Sequence, residues 1–472
     1  MRLTKRTKIV ATVGPACATD QMLAALIAAG VDVFRINTSH SGEGETRDFF
    51  TRIRRVADSA GEPTAVLIDL QGPKIRVGEI QGGSVTLKER ERIAITTQPG
   101  IGDAQALHTD YAGFAADVEV GDVLLLDDGL IRIRAVEKAE ARVVFQGEVG
   151  GELKSHKGMS LKGKEFSADS LSDKDIANLE LACELDADFV AVSFVRRASD
   201  VTYAKDIMRF HHKSIPVVSK IEQSSALANF DEILAASDAI MVARGDLGIE
   251  TPLEQVPIHQ KRIIKACNRV AKPVITATQM LESMIEHPIP TRAEVSDVAN
   301  AILDGTDAVM LSAETSTGKY PLEAVKMMAS VAKNAEAELH SQAYYTAPVV
   351  GEERTVADAV TEAACEVASA LGPAAIVAPT ATGYTARMIS RYKPHPPVIA
   401  PTHDPSVMRR LNLSFGVYPV LMTEMLDPSA DVAQKVKAYL PQAKSGDTLV
   451  FIGGLPAGVG GITNFVKVEK IK

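Results

Sequence analysis

Charged residues spaced two apart follow two short apolar runs in the middle of the chain. Lys220 and Glu222 end the first run, and Arg244 and Asp246 end the second. Side chains two apart in an extended strand point to the same face, so each pair is predicted to share a face. Buried charges are costly unless they meet opposite charges. A phosphate group with a divalent cation would satisfy both pairs, and the pattern therefore predicts a centre for phosphoryl chemistry.

The composition is that of an ordinary globular protein with more than one domain. The chain has 472 residues, of which 46% are apolar and 24% charged. Its net charge of −9 argues against nucleic acid or an anionic membrane as the main partner. We see no signal segment and no apolar run of membrane-spanning length, and the cysteines form no CxxC pair. We therefore expect a cytoplasmic protein with reduced thiols and no zinc site.

Strand-like apolar runs alternate with amphipathic helical patterns over most of the first 340 residues. The alternation is interrupted once. It favours parallel strand pairing and the eight strand–helix units of an α/β fold, the (β/α)8 or TIM barrel. We assign residues 1–72 and 171–340 to this catalytic barrel domain. The predicted barrel strands are 7–13, 31–39, 64–70, 188–194, 215–222, 239–246, 273–278 and 308–314.

Two further segments depart from this alternation. Residues 73–170 contain a hairpin signal at Asp128-Gly129 and short alternating strands, at 84–87, 92–97, 123–126, 130–136 and 143–149. They predict a small all-β lid domain inserted into the barrel. A linker-like stretch at 346–355 opens the last segment. Residues 341–472 then show a long helix and short strands, typical of a C-terminal α/β effector domain with a small doubly wound sheet.

Chemically useful side chains follow nearly every predicted barrel strand at its carboxyl end. Barrel enzymes place their active sites at that end, so these side chains are expected to converge. The alternative is a set of unrelated strand ends, each capped by whichever polar residue fits. The residues are Thr12, Arg35, Asn37, Ser39, Asp69, Ser193, Lys220, Glu222, Arg244, Asp246, Thr276, Thr278, Ser312 and Glu314.

Short distinctive motifs occur in collinear order along essentially the whole chain. Two of them read Ser219-Lys220-Ile221-Glu222 and Ala243-Arg244-Gly245-Asp246-Leu247-Gly248, and the others lie at 12–15, 35–40, 72–76, 277–281, 290–294, 297–301 and 460–464. Together they resemble the pyruvate kinase family. The resemblance implies a barrel, an inserted lid and a C-terminal regulatory domain. It also implies transfer of the phosphoryl group of phosphoenolpyruvate to ADP, followed by protonation of the enolate to pyruvate.

The resemblance assigns roles to the residues at the two charged strand ends. Lys220 is expected to stabilise the phosphoryl group in transfer and the developing enolate. Glu222 and Asp246 match the carboxylate ligands of Mg²⁺, with Mn²⁺ as an alternative metal. Amides at Gly245 and the hydroxyl of Thr278 match the groups that hold the substrate carboxylate. Considered without the resemblance, the alternative interpretation is that these charged residues only form salt bridges at the barrel mouth.

Five more residues match family positions that bind phosphate or nucleotide. Arg35 resembles the arginine that grips phosphate through its fork of donors. Asn37, His40, Arg76 and Lys157 match positions that touch the nucleotide or the transferring phosphate. Taken alone, His40 is more often a surface histidine, and Lys157 is more often a solvated charge on the lid.

Lys74 departs from the pattern of many family members. Those members hold K⁺ near a glutamate, through positions that correspond here to Asn37, Ser39, Asp69 and the carbonyl of Leu70. Here a lysine replaces that glutamate, which resembles the K⁺-independent branch of the family. An ammonium group held at the site can supply the positive charge that the ion would bring. We predict activity without added K⁺; the alternative is a solvated lysine at the root of the lid.

A strand, a hydroxyl-rich loop with a glycine and a helix start follow one another in the C-terminal domain. Amides and hydroxyls of such a loop can bind phosphate, and the family uses the equivalent loop for phosphorylated sugar effectors. Tyr384 stands where a basic residue is usual, which leaves open a different sugar phosphate, a nucleotide, or an ordinary helix start without effector. The loop residues are Thr380, Thr382, Gly383 and Thr385. The resemblance also implies a homotetramer.

Two rival functions stay open at this point. A pyruvate-enolate aldolase would also use Mg²⁺ on Glu and Asp beside an Arg, but the all-β insertion, Lys220 and the His40 and Arg76 positions argue against it. An inactive protein that senses metabolites through its third domain would be expected to have lost one of the main site residues, and all of them are present.

Overall fold

The structure is a computed structural model, and it describes most of the chain. The described residues are 3, 5–339, 354–422, 436–440, 442–455 and 462–471. The predicted boundary between 340 and 341 and nearly all of the predicted linker fall outside them, as do residues 460 and 461 of the last family motif. Within the described ranges, no helix is long and apolar enough to cross a membrane.

The first part of the chain supplies three barrel strands and two helices. Thr19 caps the first helix by accepting a hydrogen bond from the N–H of Met22, and Gly30 ends that helix at a φ of 120°. The elements are β1 (Lys8–Thr12), α1 (Asp20–Ala29), β2 (Val33–Asn37), α2 (Glu43–Ala60) and β3 (Ala65–Asp69).

The inserted lid domain is built of short strands around its own apolar core. Its elements are β4 (Ser84–Leu87), β5 (Arg92–Thr96), β6 (Ala106–His108), α3 (Phe114–Asp117), β7 (Val123–Leu126), β8 (Ile131–Ala139), β9 (Arg142–Val149), β10 (Gly151–Lys154) and β11 (Met159–Leu161). One sheet has the order β11-β7-β8-β9-β5-β6, and β10 pairs with β4. The turn of 127–129 between β7 and β8 has positive φ at each residue, as the Asp128-Gly129 signal predicts.

The strand–helix alternation resumes after the lid. Its elements are α4 (Asp173–Glu184), β12 (Phe189–Val192), α5 (Ala198–Phe210), β13 (Val217–Ile221), α6 (Ser224–Ala228), α7 (Phe230–Ala236), β14 (Ala239–Ala243), α8 (Arg244–Glu250), α9 (Val256–Arg269), β15 (Val274–Ala277), α10 (Arg292–Leu303), β16 (Ala308–Leu311), α11 (Ala313–Ser316) and α12 (Pro321–Ala337). In the described part of the chain, eight parallel strands close a barrel in the order β1-β16-β15-β14-β13-β12-β3-β2. The predicted (β/α)8 barrel with an inserted β lid is confirmed.

The C-terminal domain is an α/β sheet that packs against the amino-terminal end of the barrel. Its elements are α13 (Val356–Leu371), β17 (Ala375–Val377), α14 (Tyr384–Ser390), β18 (Val398–Thr402), α15 (Pro405–Arg410), β19 (Val417–Leu421), β20 (Thr448–Gly453) and β21 (Phe465–Lys470). The strand order is β19-β18-β17-β20-β21, and β21 runs antiparallel to β20. The sheet is therefore mixed. A short 3₁₀ helix, Leu411–Leu413, lies between α15 and β19, and others lie earlier in the chain at Gln81–Gly83, Leu253–Gln255 and Glu282–Ile285.

Candidate active site

Strand β13 places Lys220 and Glu222 on its inner side. Val217 and Ile221 belong to the apolar layer beneath the helices, whereas Val218 belongs to the cluster inside the barrel. Because side chains alternate along a strand, the next inward positions are Lys220 and Glu222. The Nζ of Lys220 lies 2.9 Å from Oε1 of Glu222. The predicted shared face of this pair is confirmed.

Asp69, at the end of β3, is shared by two cations. Its Oδ2 lies 2.6 Å from Nε of Arg35, and its Oδ1 lies 3.4 Å from Nζ of Lys220. The ammonium of Lys220 also donates to Oγ of Ser193 at 2.7 Å, and the guanidinium of Arg35 donates to Oγ1 of Thr12 at 3.0 Å. Side chains from five neighbouring strand ends therefore meet in one network of charges and hydroxyls.

Lys220 and Asp69 keep their charges despite burial. Burial by itself would lower the pKa of Lys220, but the carboxylates of Asp69 and Glu222 outweigh it and raise that pKa above its ordinary value. Burial opposes ionisation of Asp69 too, yet Lys220 and Arg35 lower its pKa below the usual range. Glu222 differs. Burial raises its pKa, and the neighbouring carboxylate of Asp246 adds to that rise against the effect of Lys220. Beside Glu222 and Asp246, the network therefore has too little positive charge to balance both carboxylates.

Arg244 and Asp246 do not share a strand face, and that prediction is wrong. Strand β14 ends at Ala243, and α8 begins at the next residue. Residues two apart in a helix point in different directions. Arg244 turns away from the mouth. Its Nη1 lies 2.7 Å from the carboxylate of Asp297, and its Nη2 donates to the carbonyl of Thr278 at 2.7 Å.

The carboxylates of Glu222 and Asp246 line one cavity between the barrel and the lid. Oε2 of Glu222 accepts a hydrogen bond of 2.6 Å from the N–H of Phe194, whose φ is 54°. Two acidic side chains facing one space, with the pKa of Glu222 raised by the other carboxylate, fit a divalent cation bound through oxygen. Over the described ranges, no group of three or more His, Cys, Asp or Glu side chains forms a metal site, so this pair would need ligands from substrate and water.

Thr278 and Gly245 lie side by side, and Gly245 directly precedes Asp246 in α8. The N–H of Gly245 donates to Oγ1 of Thr278 at 2.9 Å, and that hydroxyl donates to the carbonyl of Ala277 at 2.6 Å. The φ angles of Thr278 and Gln279 are 67° and 54°. Such angles are unfavourable for a β-branched residue and are found most often at functional sites. The backbone therefore leaves β15 sharply and presents the hydroxyl beside Gly245.

Arg76 and Lys157, two predicted nucleotide-binding residues, lie together on the lid. Arg76 pairs by a β-bridge with Gly158, and its Nη1 donates to the carbonyl of His156 at 3.0 Å. Nζ of Lys157 lies 2.7 Å from Oδ1 of Asp127, in the turn between β7 and β8. In the described structure, neither side chain contacts the Lys220 network. Both belong to the lid and are separated from that network by the barrel mouth.

The other predicted nucleotide and cation positions lie at the ends of β2 and β3. Oδ1 of Asn37 accepts a hydrogen bond of 3.2 Å from the N–H of Ser39, and His40 is exposed beside them. The carbonyl of Leu70 accepts a hydrogen bond of 2.7 Å from the hydroxyl of Ser193. The structure thus brings Asn37 and Ser39 together, and places Leu70 next to the Lys220 network.

Lys74 reaches the metal side of the site. Its Nζ lies 3.6 Å from Oδ1 of Asp246 and 3.5 Å from Oδ1 of Asp128 in the lid turn. Among the ion pairs of the described residues, none joins Lys74 to Asp69. Its ammonium group therefore lies beside the cavity, at a carboxylate that the sequence assigns to the metal.

The predicted effector loop leads from β17 into α14. Thr382 is exposed, Thr380 is half-buried, and Gly383 takes a φ of 81° at the start of the helix. Oγ1 of Thr385 is buried and lies 2.9 Å from Oγ1 of Thr463. The hydroxyl of Thr385 therefore points into the domain, and Thr382 is the hydroxyl at the loop surface.

Two contributors to the site have no side-chain signal in the sequence. Phe194 acts through its N–H, which every residue other than proline carries. Glu250 follows no strand, yet it lines the cavity with Glu165 and Ser160. Burial and the nearby carboxylate of Glu165 raise the pKa of Glu250 to about 7, against a hydrogen bond from Ser160 that lowers it. Only the packing of the lid against α8 reveals this group.

Comparison with known proteins agrees with this geometry. Residues 4–325 match the family model for the pyruvate kinase barrel domain, and residues 358–469 match the model for the pyruvate kinase alpha/beta domain. The pyruvate kinase of Geobacillus stearothermophilus is 43% identical over 476 residues, covering 99% of this chain and 80% of that protein. The pyruvate kinase of Thermotoga maritima is 40% identical over 469 residues, covering 99% of this chain and 100% of that protein. On these matches over nearly its whole length, the chain belongs to the pyruvate kinase family.

Proposed function

We propose that the barrel mouth of this chain is where the phosphoryl group of phosphoenolpyruvate passes to ADP, giving ATP and pyruvate. Pyruvate kinase activity follows from the family. The observation that carries its assignment to this site is the buried ammonium of Lys220, held between Asp69 and Glu222 at the carboxyl ends of the barrel strands. Phosphoryl transfer passes through a loose transition state that needs fixed positive charge around its oxygens.

Lys220 and Arg35 would supply that charge. The raised pKa of Lys220 keeps its ammonium group charged at neutral pH. Asp69 forms ion pairs with both cations, which fixes their positions before substrate binds. Fixed charges of this kind stabilise a transition state without reorganising during the reaction. The same ammonium group would stabilise the enolate once the phosphoryl group has left.

Glu222 and Asp246 would hold Mg²⁺, or Mn²⁺ in its place. Two protein carboxylates suit Mg²⁺, which usually keeps several waters and takes further ligands from substrate. When bound, the ion would neutralise negative charge on the phosphoryl oxygens. Thr278 and the amides at Gly245 would orient the substrate carboxylate, because they contact each other and Gly245 directly precedes Asp246.

The nucleotide would enter between the lid and the barrel. Arg76 and Lys157 lie together on the lid, and Asn37 and His40 lie at the end of β2. Guanidinium and ammonium groups are suited to bind the ADP phosphates.

The direct test is ADP-dependent formation of pyruvate from phosphoenolpyruvate by the purified chain, with Mg²⁺ present. We expect one ATP for each pyruvate, and no turnover after chelation of the divalent cation. Pyruvate released from a larger carbon skeleton without ADP would instead identify an aldolase. Binding of metabolites without turnover would identify an inactive sensor.

Lys74 supports a further proposal, that activity does not require added K⁺. A lysine at the root of the lid brings a positive charge within reach of the barrel mouth, where it can supply the charge that the ion would bring. The test is turnover in buffer free of Na⁺ and K⁺. Little change on adding K⁺ is expected, and a many-fold rise would reject the proposal.

The effector, the assembly and the location are proposals that rest on the family. A sugar phosphate or nucleotide would bind at Thr380, Thr382, Gly383 and Thr385, although the buried hydroxyl of Thr385 leaves Thr382 as the exposed one. Titration of a panel of such compounds against the phosphoenolpyruvate saturation curve tests the effector proposal, and an unmoved curve would reject it.

Sedimentation of the purified chain tests the homotetramer. A cytoplasmic location is proposed with it.

A further inference from the structure

Lys74 is the side chain that joins the lid turn to the proposed metal ligand. Its Nζ lies between Oδ1 of Asp128, at 3.5 Å, and Oδ1 of Asp246, at 3.6 Å. Asp128 belongs to the lid, and Asp246 belongs to α8 of the barrel. The ammonium group is therefore shared by one carboxylate from each side of the cavity.

The surroundings of Lys74 are shaped for this reach. A Cβ added at Gly158 would lie 2.7 Å from Cε of Lys74, so the lysine stem passes over a residue that has no side chain. The lid turn also approaches the barrel directly, since a Cβ at Gly129 would lie 3.7 Å from Cγ2 of Ile249 in α8. Lys74 thus holds the turn close above the helix that carries Asp246.

A divalent cation and this ammonium group would compete for the same carboxylate, that of Asp246. Like charges a few ångströms apart repel by roughly 1 kcal/mol or more even at the dielectric constant of water. A cation bound to Glu222 and Asp246 would therefore drive the ammonium group away from Asp246. Lys74 would then leave the position in which it bridges the lid turn and the barrel.

We propose that Lys74 and the divalent cation compete for Asp246, so that metal binding releases the lid turn of residues 127–129 from the barrel. The inference rests on the proposed role of Glu222 and Asp246 as metal ligands. In the substrate-free enzyme, Lys74 neutralises Asp246 and holds the lid turn. In the metal-bound enzyme, the turn is free to move.

The first measurement is the affinity of the substrate-free, full-length chain for Mn²⁺, read by electron paramagnetic resonance. Lys74→Gln removes the competitor and is expected to tighten Mn²⁺ binding by about fivefold or more. The matched control is Lys164→Gln. Lys164 lines the same cavity and is paired with Asp122 within the lid at 3.1 Å, so its loss changes the charge equally without touching Asp246. Its Mn²⁺ affinity should stay within about twofold of the unaltered chain.

The second measurement is hydrogen exchange of the lid turn with and without Mg²⁺. In the unaltered chain and in Lys164→Gln, Mg²⁺ should speed exchange of the amides at 127–129 severalfold. In Lys74→Gln the turn should exchange fast in both conditions. Asp128→Asn, which removes the lid partner alone, should also speed exchange without metal.

Asp246→Asn separates the two proposals. Loss of Mn²⁺ binding in this variant, together with equal affinities of Lys74→Gln and Lys164→Gln, would overturn the competition and leave the metal site standing. Retention of full Mn²⁺ affinity in Asp246→Asn would overturn the metal site, and the competition with it. An exchange rate of the turn that ignores Mg²⁺ in the unaltered chain would also overturn the competition.

Discussion

Lys220 shows how a single residue can keep a charge inside a barrel. Only 12% of its side chain is exposed, which would favour the neutral amine if nothing balanced it. Two carboxylates and the hydroxyl of Ser193 surround the ammonium group. The strand alternation predicts the contact with Glu222 from sequence. The contact with Asp69 cannot be predicted in this way, because it joins residues 151 positions apart and depends on the order of the strands in the barrel.

Glu250 gives a pH dependence at the residue scale. Burial raises the pKa of its carboxyl to about 7 in the folded chain, above the ordinary value of 4.5. The folded state therefore favours the protonated form, and the contribution of Glu250 to stability is lost as pH rises through about 7. Glu250→Gln should have a higher unfolding midpoint than the unaltered chain at pH 8, a gap that closes towards pH 5.

Thermal unfolding of both proteins across this pH range measures the gap. Glu254→Gln is the control, because Glu254 lies four residues further on and is exposed. Its unfolding midpoint should stay close to that of the unaltered chain. A gap for Glu250→Gln that is the same at every pH would show that Glu250 does not titrate in the folded chain between these values.

At the scale of elements, sequence patterns predict the strands well and their last residues poorly. The predicted strand 239–246 ends in the structure at Ala243, and the predicted strand 273–278 ends at Ala277. Both apolar runs are real, but the chain turns as soon as the buried layer ends. The turn at Thr278 uses φ values that local propensity disfavours, so tertiary contacts impose them. The lid strands β6 and β11 are missed because three residues show too little alternation. Strand β10 is missed because it begins at Gly151, and glycine is depleted in strands.

Gly72, at the root of the lid, offers a test of how the hinge supports the site. Its φ is 73°, and a Cβ there would lie 2.7 Å from Cδ2 of Phe194 and 2.8 Å from Cβ of Ser193. Those two residues orient Glu222 and Lys220. Gly72→Ala should therefore lower kcat by about tenfold to a hundredfold, because small displacements of catalytic groups are costly.

The control for this variant is Gly82→Ala. Gly82 lies in the lid with a similar φ of 76°, but nothing lies within 4 Å of the added Cβ. It therefore has the same backbone strain without the clash, and should lose a little stability and no turnover. Equal turnover of the two variants in a steady-state assay would show that the lid root does not position the site.

At the scale of the whole molecule, the barrel has the proposed active site at one end and contacts the C-terminal domain at the other. Lys393 lies in the C-terminal domain, fully buried, and its Nζ is 2.8 Å from Oδ1 of Asp307 just before β16. The same carboxylate accepts hydrogen bonds from the N–H groups of Phe415 and Val274. The family motifs predict both domains, but no sequence pattern pairs Lys393 with Asp307.

Lys393→Met should destabilise the docking of the two domains. It leaves the buried carboxylate of Asp307 without its cation, a loss of about 3 to 5 kcal/mol in comparable cases. Calorimetry should show a lower transition or a separate early one. Lys319→Met removes a lysine from an exposed pair with Glu286, and should barely move the transition. The same small effect from both variants would contradict the structural role of the buried pair.

The most direct test of the account is the turnover of Lys220→Met with phosphoenolpyruvate, ADP and Mg²⁺, at a temperature where circular dichroism shows the variant folded. We expect kcat to fall by at least about a thousandfold while Mn²⁺ still binds, because the fixed charge beside the transition state is lost and the proposed metal ligands remain. Turnover within tenfold of the unaltered chain would contradict it.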